Sequence, residues 1–191
     1  MAKENIYTIP NFLSFYRLLS FPFLLWMVYA SKESLFAFFL CFNLITDIAD
    51  GFIARRFNLQ TALGARLDSL ADIGTFILAF LGVFQFKFEE MESDQWWFWA
   101  FVAIFLFGHL VSFLKFKKFP SLHLYSMKIS GYVQGIFFFV LFAYAYLPWL
   151  FYVAMIVGFY AWLEEIIILL KLKEMKSDVK GLYWVWKEEL N

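Results

Sequence analysis

Asp47 to Asp72 reads DIADGFIARRFNLQTALGARLDSLAD, and this stretch decides how the chain is organised. Asp47 and Asp50 are three residues apart, Asp68 and Asp72 four. At about 100° per residue, each pair lies on one face of a helix. Gly51, Ala54 and Arg55 fall on the side of the first pair, and Gly64 falls beside the second. Asn58-Leu59-Gln60-Thr61, following Arg55-Arg56, is a short polar joint. Such a joint between two helical patterns predicts a break and an antiparallel return, so the two acidic faces can meet.

The flanking sequence places this hairpin in a membrane. Of 191 residues, 63% are hydrophobic and 24% aromatic, with 28 Phe. A soluble domain of this size cannot hide so much apolar surface. Six stretches can cross a hydrocarbon layer of about 30 Å, near 12–30, 34–57, 61–86, 95–115, 125–147 and 149–171. Continuous apolar runs, rather than period-two alternation, predict helices and not a barrel. The fold expected is an all-α integral membrane protein of six transmembrane helices. Residues 1–172 form the membrane domain and 173–191 an amphipathic tail on the lipid surface. Pro22 is a potential kink in the first span. Cys41, the single cysteine, stands in an apolar run with no disulfide partner, packed or facing lipid. The polar N-terminal residues and the lack of a small-residue cleavage site predict no cleavable signal peptide.

Charge sets the expected orientation. The N-terminus and the second, fourth and sixth joints carry Lys3, Arg55, Arg56, Lys115, Lys117, Lys118, Lys171, Lys173, Lys176, Lys180 and Lys187. The other side has Lys32 and Lys87 among Glu33, Glu89, Glu90, Glu92 and Asp94. The excess of Lys and Arg predicts that both termini and the aspartates lie on the cytoplasmic side, in a cell (inner) membrane. Net charge is zero, so nothing points to a nucleic-acid partner.

Four carboxylates near the end of a membrane hairpin need compensation. Each costs at least ~2.5 kcal/mol at membrane depth, and together they repel. Arg55, Arg56 and Arg66 are nearby but do not supply matching geometry for all four. Divalent cations do, and an all-oxygen ligand set points to Mg²⁺, Mn²⁺ or Ca²⁺ rather than Zn²⁺. The structural alternative is that the aspartates pair with arginine only to hold the hairpin together. A transport site for divalent cations is the alternative from another class. It requires a polar path across the membrane, whereas 36–42 and 76–84 are almost wholly apolar. Gly51, Ala54 and Gly64 leave either close helix packing or room for a ligand. Arg55 would direct a fork of donors, suited to phosphate, at that room.

The order D-x2-D-G-x2-A-R-x8-G-x3-D-x3-D, filled by Asp47, Asp50, Gly51, Ala54, Arg55, Gly64, Asp68 and Asp72, resembles the signature of the CDP-alcohol phosphatidyltransferases. Eight fixed residues over 26 positions is a specific match. Ile9-Pro10-Asn11-Phe12-Leu13-Ser14 and Arg17 resemble the family's entry into its first span. The resemblance covers essentially the whole chain. It implies two divalent cations, Mg²⁺ or Mn²⁺, held by Asp47, Asp50, Asp68 and Asp72, with Asp72 also the general base. It implies contacts to the CDP moiety from Asp47, Gly51, Ala54, Arg55, Gly64 and Asp68. It further implies a CDP-diacylglycerol donor, a small polar alcohol acceptor, CMP as product, and a homodimer in the lipid bilayer.

The acceptor is less legible. Lys128, beside Ser126 and Ser130 on span five, suits an anionic acceptor, with snorkelling to the interface as its plain alternative. Arg66, Arg17 and His123 are weaker candidates. This favours glycerol 3-phosphate or inositol phosphate. Ser69 and Ile73, around the last aspartates, look more like a serine-transferring branch, so serine is the alternative acceptor. CDP-choline or CDP-ethanolamine as donor also remains open. Glu164 and Glu165 are read as marking the boundary of span six, or else contacting the acceptor. His109 is read as packed and hydrogen-bonded, since no other ligand type shares its face.

Overall fold

The computed structural model describes residues 7–117, 122, 124–172, 174 and 179–189. Among these, seven α-helices occur and no strand: α1 Ile9–Tyr29, α2 Glu33–Arg56, α3 Ala62–Gly82, α4 Gln95–Phe116, α5 Tyr125–Ala143, α6 Pro148–Lys171 and α7 Leu182–Glu189. A π-helical turn, Val83–Lys87, continues α3, and a 3-10 segment, Glu89–Asp94, precedes α4. Six of these helical stretches are long and apolar enough to cross a membrane. Much of their large apolar surface points outward, as at Phe12, Leu19, Trp26, Phe38, Ile48 and Phe52. The protein is therefore an all-α integral membrane protein with six membrane-spanning helices, as the sequence predicts.

Two compact units are present. The first comprises residues 1–90 with 138–145, the second 91–137 with 146–191. In the first, α1 packs against both α2 and α3. Its apolar centre includes Leu24, Met27, Phe36, Leu40, Leu78 and Phe142, all buried. Gly82 is required there, because a Cβ at that position would run into the rings of Phe36 and Phe142. Helix α1 runs unbroken through Pro22. Cys41 is packed, its thiol 3.9 Å from the carbonyl of Phe139.

The joint between α2 and α3 is built by local chemistry. Asn58 takes the left-handed conformation, φ 53°, which Asn tolerates better than most residues. Leu59 N–H then donates to Ala54 C=O at 3.0 Å, the six-to-one bond of a Schellman closure. Thr61 caps α3, its hydroxyl accepting from Gly64 N–H at 2.9 Å. The chain reverses within the four residues that the sequence marks as a joint.

In the second unit α4 packs on α6. Lys115 donates to the carbonyls of Leu169 and Leu170 at 3.0 and 2.6 Å, a cation at the C-terminal end of α6. Gln134 donates to the Ala154 carbonyl at 2.8 Å. Tyr146 and Tyr152 both donate to the buried Asp94 carboxylate, at 2.5 and 2.6 Å. Burial and that carboxylate push the Tyr146 hydroxyl far above its ordinary pKa. Helix α5 ends at Ala143, short of the expected Leu147. Pro148 forces Leu147 into extended backbone, so the helix must stop beforehand.

Candidate active site

The four aspartates do come together. Asp47 and Asp50 stand on α2, Asp68 and Asp72 on α3. Carboxylate oxygens of Asp47, Asp50 and Asp68 all lie within 4.8 Å of one another. Asp50 is buried, while the side chains of Asp47, Asp68 and Asp72 keep 42%, 43% and 43% of their surface exposed. One flank of the cluster is thus closed and the other open.

The closed flank is α1, and its contribution corrects the sequence reading. Arg17, expected at most to be a weak acceptor contact, projects a wholly buried guanidinium into the cluster. Its Nη1 reaches Asp47 at 2.5 Å and Asp72 at 2.9 Å. Its Nη2 reaches Asp50 at 2.6 Å and Asp68 at 2.7 Å. One arginine therefore satisfies all four carboxylates, which the nearer Arg55, Arg56 and Arg66 do not do among the described residues. The inference that only divalent metal can compensate the aspartates does not survive in that form. The charges still do not balance: one guanidinium against four carboxylates leaves a formal excess of three negative charges. Arg17 Nε is also buried without a hydrogen-bond partner. An all-oxygen set of this density and charge fits hard divalent cations.

Helix α1 supplies further polar contacts. Ser14 donates to Asp50 Oδ2 at 3.2 Å and to the Pro10 carbonyl at 3.2 Å. Asn11 is hydrogen-bonded to Thr61 across the helices, at 3.1 Å through Nδ2 and 3.2 Å through Oδ1. Of the two readings left open at Gly64, the structure shows close packing: a Cβ there would overlap Asn11 Oδ1 and approach Thr61 Oγ1 to 2.8 Å. Gly64 thus allows α1 to seat against the start of α3. At Gly51 the Arg55 guanidinium lies over the backbone, 3.5 Å from a would-be Cβ. Ala54 is half-buried on the same helix, and Arg55 and Arg66 are exposed.

The remaining candidates lie in the second unit. Ser126 and Lys128 occupy the first turn of α5. The Ser126 hydroxyl is buried without a hydrogen-bond partner. Lys128 is exposed, its ammonium 5.7 Å from the centre of the Tyr125 ring. Glu164 accepts from Leu182 N–H at 2.8 Å and so ties down the start of α7. Glu165 is buried, with Oε2 unpartnered. His109 is packed as read, Nδ1 2.9 Å from the Phe105 carbonyl and its ring against Phe105 and Trp162. His123 lies outside the described residues, as do Lys3, Lys118, Lys173 and Lys176.

Residues 7–167 match the family model described as CDP-alcohol phosphatidyltransferase. The chain belongs to that family. Among curated relatives, a cardiolipin synthase (CMP-forming) / mitochondrial hydrolase fusion protein of Schizosaccharomyces pombe is 43% identical over 70 residues, 37% of this chain and 12% of the relative. A CDP-diacylglycerol–glycerol-3-phosphate 3-phosphatidyltransferase of Salmonella choleraesuis is 39% identical over 69 residues, 35% of this chain and 38% of the relative. The protein of the same name from Escherichia coli is 36% identical over 69 residues, with the same coverage. The chain thus spans well under half the length of these relatives. No solved structure matches.

Proposed function

We propose that this member of the family transfers a phosphatidyl group from CDP-diacylglycerol to a small alcohol, releasing CMP. The observation that carries this reading is the convergence of four aspartates from α2 and α3 on one position filled by positive charge. Asp47, Asp50, Asp68 and Asp72 would hold two divalent cations, Mg²⁺ or Mn²⁺. Bound there, such ions would supply the positive charge that neutralises the pyrophosphate and stabilises the charge developing in an in-line displacement at phosphorus.

The chain's own residues supply the rest. Asp72 takes the proton of the acceptor hydroxyl; its half-exposed carboxylate on the open flank is accessible to that hydroxyl. The acceptor oxygen forms a bond to the phosphorus next to diacylglycerol, the bond from that phosphorus to the bridging oxygen breaks, and CMP leaves. Arg55, folded over Gly51 and exposed, offers its guanidinium to the nucleotide phosphates. The family resemblance assigns Asp47 and Asp68, with Gly51, Ala54 and Gly64, to contacts with the same nucleotide. The Lys and Arg bias supports a site opening to the cytoplasm of an inner membrane, with both termini on that side. The family resemblance supports a homodimer.

Glycerol 3-phosphate is the acceptor favoured here. The names of the Salmonella and Escherichia relatives carry it, and Arg66, exposed on α3, offers a cation for an anionic alcohol; Lys128 and Ser126 are candidates for the same role from the sequence alone. The Schizosaccharomyces pombe relative, named as a cardiolipin synthase (CMP-forming) fusion protein, favours a second reading, in which the alcohol is borne by a glycerol-headed phospholipid. Purified protein given CDP-diacylglycerol, Mg²⁺ or Mn²⁺, and separately glycerol 3-phosphate, phosphatidylglycerol, inositol phosphate, inositol and serine distinguishes these. Release of CMP with one acceptor and formation of its phospholipid name the substrate. Release with none, from folded protein, overturns the reading.

A further inference from the structure

The position of Arg17 carries a consequence beyond transfer itself. Its guanidinium puts one N–H on each of four carboxylates, at 2.5 to 2.9 Å, with no part of the side chain exposed. These are the same carboxylates that divalent cations require. A hard cation draws carboxylate oxygens to about 2.0–2.6 Å. A guanidinium wedged among those groups holds the space and brings a charge of the cations' own sign. Arg17 and bound metal therefore exclude one another.

We infer that Arg17 is an internal competitor for divalent metal: its side chain neutralises the aspartate quartet in the metal-free protein and must leave the quartet for the cations to bind. The inference rests on the reading of the quartet as a metal centre. It deepens that reading, because it makes loading an exchange of one tethered cation for mobile ones.

Two features make the docked arginine displaceable. Docking is incomplete, since Nε–H is buried without an acceptor, an arrangement that costs free energy in a low-dielectric interior. Docking is also insufficient in charge, since one guanidinium faces four carboxylates. A pair of divalent cations matches the quartet's four negative charges in number. On the other side, Arg17 is tethered on α1, and Ser14, one turn earlier, bonds Asp50, so the guanidinium is presented to the quartet at high effective concentration. The competition is thus between a weaker but always present ligand and a stronger one at cellular concentration. Apparent metal affinity is reduced by the fraction of time that Arg17 is docked: docking for about nine-tenths of the time weakens binding about tenfold. The exchange sets the metal concentration at which the site becomes competent.

The test is Mn²⁺ binding to the full chain in detergent, read by the electron paramagnetic resonance signal of free Mn²⁺, with no nucleotide or lipid donor present. Arg17→Ala is expected to bind Mn²⁺ about tenfold more tightly than the native protein. Low-millimolar guanidinium chloride should weaken Mn²⁺ binding to Arg17→Ala more than the same concentration of sodium chloride does. It should leave the native protein unaffected. Should Arg17→Ala not fold, Arg17→Lys serves, since an ammonium with three donors cannot hold four carboxylates, and it too should bind Mn²⁺ more tightly. Equal or weaker Mn²⁺ affinity in whichever variant folds overturns the inference. So does a guanidinium effect no larger than that of sodium, which would mean that Arg17 acts only as a distant charge. Failure of native and variant proteins alike to bind Mn²⁺ overturns both this inference and the metal-centre reading. Mn²⁺ binding that is unaltered by the loss of Arg17 overturns the inference alone.

Discussion

Arg17 Nη2 lies 2.6 Å from Asp50 Oδ2, and both side chains are closed off from the surface. The other three bridges from Arg17 end on half-exposed carboxylates. Exposed pairs contribute little, whereas a buried charge that loses its partner is costly. The Arg17–Asp50 pair therefore dominates the metal-free stability of the hairpin against α1.

That asymmetry predicts effects of opposite sign. In EDTA, Arg17→Ala leaves Asp50 buried without its cation and should lose about 3 kcal/mol of stability. Asp47→Asn removes one of four crowded negative charges at a half-exposed position. It should leave metal-free stability unchanged or raise it by up to about 1 kcal/mol. Thermal unfolding in detergent with EDTA measures both. Equal destabilisation by the two substitutions would mean that repulsion within the quartet is already relieved.

Asp72→Asn separates proton transfer from folding. The variant should keep its α-helical signal and its unfolding temperature while CMP release falls by about 10²- to 10⁴-fold, the usual worth of a general base. An active Asp72→Asn removes the base assignment.

Gly64 and Asn11 should be coupled. Gly64→Ala places a methyl on Asn11 Oδ1 and crowds Thr61 Oγ1, with an expected cost of about 1–3 kcal/mol. Shortening Asn11 to Ala in the same chain should recover part of that loss, giving an interaction energy above about 0.5 kcal/mol in a double-mutant cycle. If CMP release stays low in the stabilised double variant, Gly64 has a role toward the nucleotide in addition to packing. Simple additivity would mean that α1 does not seat at Gly64.

Glu164 should control the tail. Its carboxylate accepts from Leu182 N–H, a negative charge at the first turn of α7. Glu164→Ala should speed amide hydrogen exchange at Leu182 and Tyr183 and leave exchange in α2 and α3 unchanged. Unaltered exchange at Leu182 would assign the docking of α7 to apolar contacts of Leu182 and Val185 instead.

The hairpin and its four acids are legible in sequence because both signals are local. Aspartates three and four apart share a helix face whatever the tertiary structure, and Asn58 with Thr61 encodes its own turn and cap. Arg17 is not legible in this way. It lies 30 residues before Asp47 and 55 before Asp72, and its role depends on how α1 seats against two other helices. Read alone, an arginine near the end of a span is as readily a snorkelling residue as a counter-ion. At Gly64 the sequence leaves packing and ligand room both open for a related reason. A small residue marks a close approach without saying what approaches, and here Asn11 does. The apolar run 144–147 reads as a continuation of α5, although the helix ends at Ala143. The tie of Tyr146 to Asp94, 52 residues away, has no local signature.

The most direct test of the central claim is CMP release from CDP-diacylglycerol, measured with glycerol 3-phosphate across native protein and the Asp47→Asn, Asp50→Asn, Asp68→Asn and Asp72→Asn variants, with Mg²⁺ or with EDTA. Native protein should release CMP with Mg²⁺ and none with EDTA, and each folded variant should lose that release. Release that persists in EDTA, or in a variant lacking one of the four carboxylates, would contradict that claim.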